Sequence, residues 1–367
     1  MRYSERKWEG LRLPSREDLK YFQAMPLEVK VGMTKTRIRE WVKEYGIDGV
    51  YVSFSGGKDS TVLLHIVREL YPNVEAVFVD TGLEYPEIRD FVKTVDNVTW
   101  LRPEMNFKKV IETYGYPLVS KEISKQISAA RRGAKNAILA FDGKDVAGNE
   151  TEYRKRYKKW KPLYQSDIPI SEKCCEIMKK KPAKKYEKET GTKPILATMA
   201  EESVLRTHAW LKNGCNAFEG ERPLSLPMSF WTEQDVLQYI KQNSLSIASV
   251  YGDIVDESQA VKLGNEIFEQ QPMFEDCNGK LTTTGCKRTG CMFCGFGCHL
   301  EKVSRWLRLK KTHPRQYEYC IGGGEYNDDG IWQPNSKGLG LGHCFDVLNE
   351  IYGEGFIKYK ENGYDKL

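Results

Sequence analysis

Two short stretches of this chain concentrate side chains able to do chemistry. Ser55-Gly56-Gly57-Lys58-Asp59-Ser60 places two glycines, an ammonium, a carboxylate and two hydroxyls in six consecutive residues. Glycines let backbone N–H groups approach a ligand closely, and a lysine among exposed amides adds positive charge, which is the chemistry of a phosphate cradle. The segment does not fit the GxxxxGK[ST] spacing of the commoner phosphate loop. The second stretch, GCKRTGCMFCGFGC, carries Cys286, Cys291, Cys294 and Cys298 within 13 residues, with Cys277 upstream and His299 adjacent. Thiolates at such density bind soft metals, and the intervening glycines let the chain fold around them. Zinc ribbons pair two CxxC units and this segment has one, so a [4Fe–4S] cluster is the first expectation and zinc the alternative.

The elements around the first stretch can be read from periodicity. Ile38, Trp41, Val42 and Tyr45 recur at helical spacing before Gly46. GVYVSF, ending at Phe54, is a continuous apolar run typical of a strand buried on both faces. Thr61 to Tyr71 returns to helical spacing, and VEAVFVDTG is a second buried strand. Helices over Glu87–Val95 and Phe107–Tyr114 flank a third strand at Asn97–Leu101. This alternation predicts an α/β fold with a doubly wound, mostly parallel sheet, and it places the glycines between a strand and a helix N-terminus, where the helix dipole favours anions. A helix is expected over Lys121–Arg132, after which periodicity fades until Pro194. A strand at ILATMA, a helix over Glu202–Lys212 and a helix opened by Thr232 and Asp235 follow.

The 367 residues carry 56 Lys and Arg against 51 Asp and Glu, and 40% are hydrophobic. These values exclude collagen-like, disordered and coiled-coil classes. No apolar run approaches the roughly 20 residues of a membrane span. The opening MRYSERKWEGLRL lacks the apolar core of a signal peptide, so a cytoplasmic protein is expected and its cysteines are read as ligands or thiols rather than disulfides. Between Thr151 and Lys193 there are 14 Lys and Arg against 6 Asp and Glu. There, YRKRYKKWKPLY interleaves cations with aromatics, as would a surface that grips phosphates and stacks on unpaired bases, or equally a solvated lysine-rich loop. Three parts are expected: a helical extension over 1–48, a nucleotide-binding domain over 49–245 with a basic insertion at about 133–193, and a cysteine-bearing region over 246–367.

The SGGKDS loop, FVDTGLEYPEI from Phe78 to Ile88, EESVLRTHAW and the segment Pro227–Trp231 resemble the PP-loop ATP pyrophosphatase superfamily, in its PAPS reductase-like branch. The resemblance implies an adenine nucleotide alpha hydrolase-like fold. It implies nucleotide contacts from Ser53, Ser55, Gly56, Gly57, Lys58, Asp59, Ser60, Asp80, Thr81, Gly82, Glu202, Ser203 and Arg206, with Lys58, Asp59 and Ser60 catalytic, and with ATP and Mg²⁺, or PAPS or APS, as the small molecules. Two metal-ligand sets follow from resemblance. One is the local set Cys286, Cys291, Cys294 and Cys298, similar to the PP-loop protein of DNA phosphorothioation. The other, resembling the CC…CxxC pattern of iron–sulfur APS reductases, joins Cys174 and Cys175 to Cys291 and Cys294. The local set is slightly favoured.

Where the reductases carry Gly-x-Arg this chain has Ala197-Thr198-Met199, and no cysteine follows Cys344. The expected activity is therefore adenylation of an acceptor with pyrophosphate release, for sulfur transfer to nucleic acid, tRNA or DNA, with a sulfur-donor protein as a further partner. A sulfonucleotide reductase is the first alternative, and a nucleic-acid-binding metal protein without turnover the second. Cys215, Cys320 and Cys344 are expected to be small core residues.

Overall fold

The computed structural model describes residues 14–361 except 258–259, 264–265 and 270–278, with the side chains of 258–278 also left undescribed. Cys277 and the opening MRYSERKWEGLRL therefore lie outside the described residues. Contacts divide the chain into two units, each assembled from several stretches. The first comprises Met1–Asp80, Glu84–Arg102 and Pro182–Thr289; the second comprises Thr81–Leu83, Pro103–Lys181 and Gly290–Leu367. The three-part division expected above runs along the chain and differs from this one.

A six-stranded sheet organises the first unit. Its strands lie in the order Val98–Leu101, Ala76–Val79, Val50–Ser53, Lys193–Leu196, Leu224–Ser225 and Asn216–Ala217. All neighbours are parallel except the last two, which pair antiparallel. Val50, Tyr51 and Val52 are buried, as a central strand covered on both faces requires. From Val50–Ser53 the chain winds outward through Ala76–Val79 to Val98–Leu101, then returns to place Lys193–Leu196 on the other side of the starting strand. The direction of winding thus reverses at Val50–Ser53. In open α/β sheets, the crevice beyond the strand ends at such a reversal is where ligands bind.

The helices of this unit follow the expected pattern, with earlier starts: Leu27–Tyr45, Lys58–Leu70 and Pro86–Lys93. Gly46, at φ +79°, ends the first of them in a conformation that favours glycine. Thr232 caps the helix Glu233–Gln242, and the carboxylate of Asp235 bonds back to the Thr232 amide, closing a reciprocal box with Asp in the place usually held by Glu. That carboxylate has a second task. The buried Lys30 ammonium lies 2.6 Å from Asp235 Oδ2 and also donates to the Gln23 carbonyl at 2.7 Å, tying the helix Leu27–Tyr45 to Glu233–Gln242.

The second unit is mainly helical: Phe107–Tyr114, Lys121–Arg131, Lys135–Phe141, Glu152–Lys158, Lys161–Gln165, Arg305–Thr312, Pro314–Ile321 and Leu341–Tyr352. Tyr116, Phe141, Leu163, Trp306 and Phe345 are buried in it. The Arg131 guanidinium donates to the carbonyls of Leu163, Tyr164, Ser166 and Ile168, satisfying the end of the short helix Lys161–Gln165. The helices between residues 135 and 165 were hidden in sequence because charged residues dilute their apolar periodicity. Among the described residues no helix is long and apolar enough to cross a membrane.

Breaking the Lys30–Asp235 pair strands a buried carboxylate. Lys30→Met is expected to lower unfolding free energy by about 3–5 kcal/mol, measured by chemical denaturation. A loss within about 1 kcal/mol would assign the pair the weight of an exposed one.

Candidate functional site

The strand Val50–Ser53 ends at Ser53, and the glycine loop follows it directly into the helix Lys58–Leu70, whose cap is Gly57. The loop is held by its own hydroxyls. Ser55 Oγ and Ser60 Oγ lie 3.0 Å apart, the Ser55 N–H donates to Ser60 Oγ at 3.2 Å, and the Ser60 hydroxyl also reaches the Gly57 carbonyl at 2.9 Å. Gly56 sits at φ +69°, where a Cβ would come within 2.7 Å of Val92 Cγ2 and 2.8 Å of Ile88 Cγ2. Both backbone conformation and packing against the helix Pro86–Lys93 therefore require glycine.

Lys58 is buried, and its ammonium is surrounded by oxygen. Glu233 Oε1 lies at 3.2 Å, Asp59 Oδ1 at 3.6 Å, and the Lys287 carbonyl accepts from Nζ at 3.0 Å. Burial would push the lysine pKa down, but Asp59 and Glu233 outweigh it and hold the group above its ordinary value. Asp59 moves up, chiefly through burial, with Lys58 pulling the other way. Its Oδ1 is buried and accepts no hydrogen bond from a described residue. The Lys58 amide donates to the Tyr251 hydroxyl at 3.2 Å, and that hydroxyl lies 2.5 Å from Thr289 Oγ1.

The Glu202, Ser203 and Arg206 segment belongs to the same unit and follows the strand on the other side of the reversal. Ser203 caps the helix Val204–Asn213, Glu202 accepts from the Met199 amide at 3.1 Å, and Arg206 pairs with Glu202. Burial lowers the Arg206 pKa first and Arg288 adds to the effect, while Asp59 opposes it. Asp80 is buried at the end of Ala76–Val79 and is bonded to Arg89 at 2.9 Å. Thr81 and Gly82 fall in the second unit; Thr81 Oγ1 accepts from the Leu83 amide at 3.2 Å and Gly82 is at φ +74°. Sequence reasoning missed Glu201, Glu233, Tyr251, Lys287, Arg288 and Thr289. Only the KR pair inside GCKRTGC offered a signal, and the cysteines around it drew the reading towards metal.

The cysteines divide between the units. Cys286 belongs to the first, where its amide donates to the Val250 carbonyl at 2.9 Å. Cys174, Cys175, Cys291, Cys294 and Cys298 belong to the second. Burial raises the Cys174 thiol, and Cys291, Cys175 and Cys294 each add to the rise. Burial likewise raises Cys294, opposed by Arg305, whose guanidinium donates to the Cys294 carbonyl at 2.9 Å. Cys298 is pushed up to about 11, by burial, and its thiol faces the Gly295 carbonyl at 3.1 Å. Among the described residues, no three His, Cys, Asp or Glu side chains converge in ligating geometry. Cys320 and Cys344 are fully buried core residues, whereas Cys215 is partly exposed.

The basic stretch is less basic in the fold than in the count. Lys155 pairs with Glu152, Arg156 with Glu122, Lys158 with Glu150 and Lys161 with Asp142. Tyr157 and Trp160 are buried, leaving Tyr153 exposed with the Arg156 guanidinium 3.9 Å from its ring centre.

Gly56→Ala is expected to destabilise the loop by about 1–3 kcal/mol through overpacking and positive φ, read as a lowered melting temperature together with weakened nucleotide binding. An unchanged melting temperature would show that Ile88 and Val92 yield freely.

Residues 49–117 and 121–295 match the family described as Phosphoadenosine phosphosulfate reductase domain. The protein MJ0973 of Methanocaldococcus jannaschii is 38% identical over 80 residues, which are 20% of this chain and 18% of that one, so the likeness spans under a fifth of that relative. The adenosine 5'-phosphosulfate reductase of Geobacillus thermodenitrificans is 27% identical over 207 residues, 55% of this chain and 67% of the relative. The crystal structure of phosphoadenylyl-sulfate reductase from Candida auris, in its phosphate complex, is similar at a TM-score of 0.34 and 16% identity, covering 69% of this chain and 100% of that one. With its phosphate-type loop at the sheet reversal and two thirds of its length matched, the chain belongs to the phosphoadenosine phosphosulfate reductase domain family.

Proposed function

We propose that this chain binds ATP on the Ser55–Ser60 loop and activates an acceptor oxygen by adenylation, for sulfur transfer. The observation that carries the reading is the buried, charged Lys58 at a helix N-terminus beside the sheet reversal. In this mechanism the acceptor oxygen attacks the α-phosphorus, the bond to the bridging oxygen breaks, and pyrophosphate leaves while held by the loop amides and the Lys58 ammonium. Charge stabilisation of the leaving group by preorganised donors is the main contribution of the protein. Asp59, with a buried carboxylate oxygen not engaged by a hydrogen bond among the described residues, is the group that would hold Mg²⁺. Sulfur then displaces AMP from the activated acceptor.

Cys174, Cys175, Cys291 and Cys294, all in the second unit, are the all-sulfur set that would hold a [4Fe–4S] cluster. A cluster there would bind and hand on sulfur. Ligation would draw the protons from the Cys174 and Cys294 thiols, which burial raises. The acceptor is placed in nucleic acid, tRNA or DNA, with the exposed Tyr153–Arg156 pair as its contact.

A second reading, reduction of a sulfonucleotide, is favoured by the same CC and CxxC grouping. It requires an attacking thiolate, and burial raises the thiols of Cys174, Cys215, Cys294, Cys298, Cys320 and Cys344, which disfavours them as nucleophiles.

Product analysis of protein purified without oxygen tests both readings. ATP with mixed nucleic acid is expected to give AMP and pyrophosphate, and Lys58→Ala to lower the rate at least about 100-fold, as loss of an oxyanion-type donor does. Sulfite and adenosine 3',5'-bisphosphate from PAPS and a thiol reductant would establish the second reading instead. Iron and sulfide analysis tests the ligand set. Cys291→Ser and Cys174→Ser are expected to lose the visible absorption of the cluster, and Cys286→Ser to retain it. Loss with Cys286→Ser and retention with Cys174→Ser would restore the local set.

A further inference from the structure

The segment just before the CxxC turn is fastened beside the phosphate loop at two points that flank Arg288. The Lys287 carbonyl accepts from Lys58 Nζ at 3.0 Å, and the Thr289 hydroxyl lies 2.5 Å from the Tyr251 hydroxyl, which itself accepts from the Lys58 amide at 3.2 Å. A Cβ on Gly57 would stand 3.2 Å from that tyrosine oxygen and 3.6 Å from Thr289 Oγ1, so the contact is with the loop itself. Behind it, the Gly285 and Cys286 amides donate to the Tyr251 and Val250 carbonyls at 2.8 and 2.9 Å. All these residues lie within the first unit. Arg288, between the two fastened positions, has its backbone fixed beside the loop while its side chain is exposed.

The cations of the site differ in what already engages them. Lys58 is held by Glu233, Asp59 and a carbonyl, and Arg206 is paired with Glu202. Arg288 makes no hydrogen bond or ion pair with a described residue, yet its charge reaches Asp59, Glu201 and Arg206. A guanidinium offers a planar fork of donors that matches two oxygens of one phosphate or sulfonate group, which an ammonium cannot do.

We propose that Arg288 clamps the anionic tail of the bound nucleotide, reaching it from the Gly285–Thr289 segment fastened beside the loop. The role rests on the nucleotide-binding reading above. It makes Arg288 a binding residue for the charged end of the ligand, with no contribution to holding its adenosine part.

Binding of ATP, inorganic pyrophosphate, PAPS and adenosine to the full chain, for the wild type, Arg288→Ala and Arg288→Lys, tests the assignment. Arg288→Ala is expected to weaken pyrophosphate and ATP binding by about 10- to 100-fold, the weight of a charge-assisted hydrogen bond, and to leave adenosine binding unchanged. Arg288→Lys restores part of the loss, because charge returns without the fork. A loss confined to PAPS supports the clamp and identifies a sulfonucleotide tail. Equal binding of pyrophosphate and ATP by Arg288→Ala and wild type, with PAPS also unaffected, overturns the clamp while leaving the nucleotide reading standing. A parallel loss of adenosine binding overturns it in favour of a structural role. A wild type that binds none of the four ligands overturns both the clamp and the reading it rests on.

Discussion

The environment of one ammonium group organises the first unit. Lys58 sits at the start of a helix, beyond the end of the central strand, in a position where burial alone would lower its pKa. Two carboxylates from different parts of the chain prevent that: Asp59 beside it and Glu233 from the helix capped by Thr232. That same helix carries Asp235, whose carboxylate both completes the cap and neutralises Lys30. The first turn of one helix thus fixes two buried lysines. Removing a buried charge from its partner costs far more than an exposed pair contributes, so the geometry around Lys58 has little freedom to relax.

What was legible in the sequence follows from the range of each interaction. The strands Val50–Ser53, Ala76–Val79 and Val98–Leu101 and the helices between them announce themselves because burial on both faces leaves continuous apolar runs and amphipathic helices a clear period. The loop was legible because its glycines have a local task, which Gly56 illustrates with its positive φ and its tight approach to Ile88 and Val92. Tyr251, Lys287 and Thr289 were not legible. Tyr251 and Lys287 meet Lys58 from more than 190 positions away and Thr289 meets Tyr251, and nothing about a lone tyrosine or a KRT triplet reports such a meeting.

The basic stretch reads differently in the fold for a related reason. Counting charges between residues 151 and 193 omits Glu122, Asp142 and Glu150, which lie before the window and pair with cations inside it. Its aromatics at Tyr157 and Trp160 are core residues of short helices whose outer faces carry the lysines. In the same way, the density of thiols in GCKRTGCMFCGFGC suggested one local group, whereas contacts assign Cys286 to one unit and Cys291, Cys294 and Cys298 to the other. The boundary between units falls between Thr289 and Gly290, inside the motif itself.

The interleaving of the units also sets an order of events during synthesis. The glycine loop emerges early, but the strand Lys193–Leu196 that flanks Val50–Ser53 arrives some 140 residues later, and Tyr251 and Thr289 later still. Each pairing closes a long loop before its contacts repay the entropy, which is the condition that slows folding. A nascent chain halted before residue 193 would carry the complete phosphate-loop sequence with half its sheet unbuilt. Such a chain exposes the unpaired edge of Val50–Ser53 until Lys193–Leu196 covers it, the condition under which partly folded chains associate.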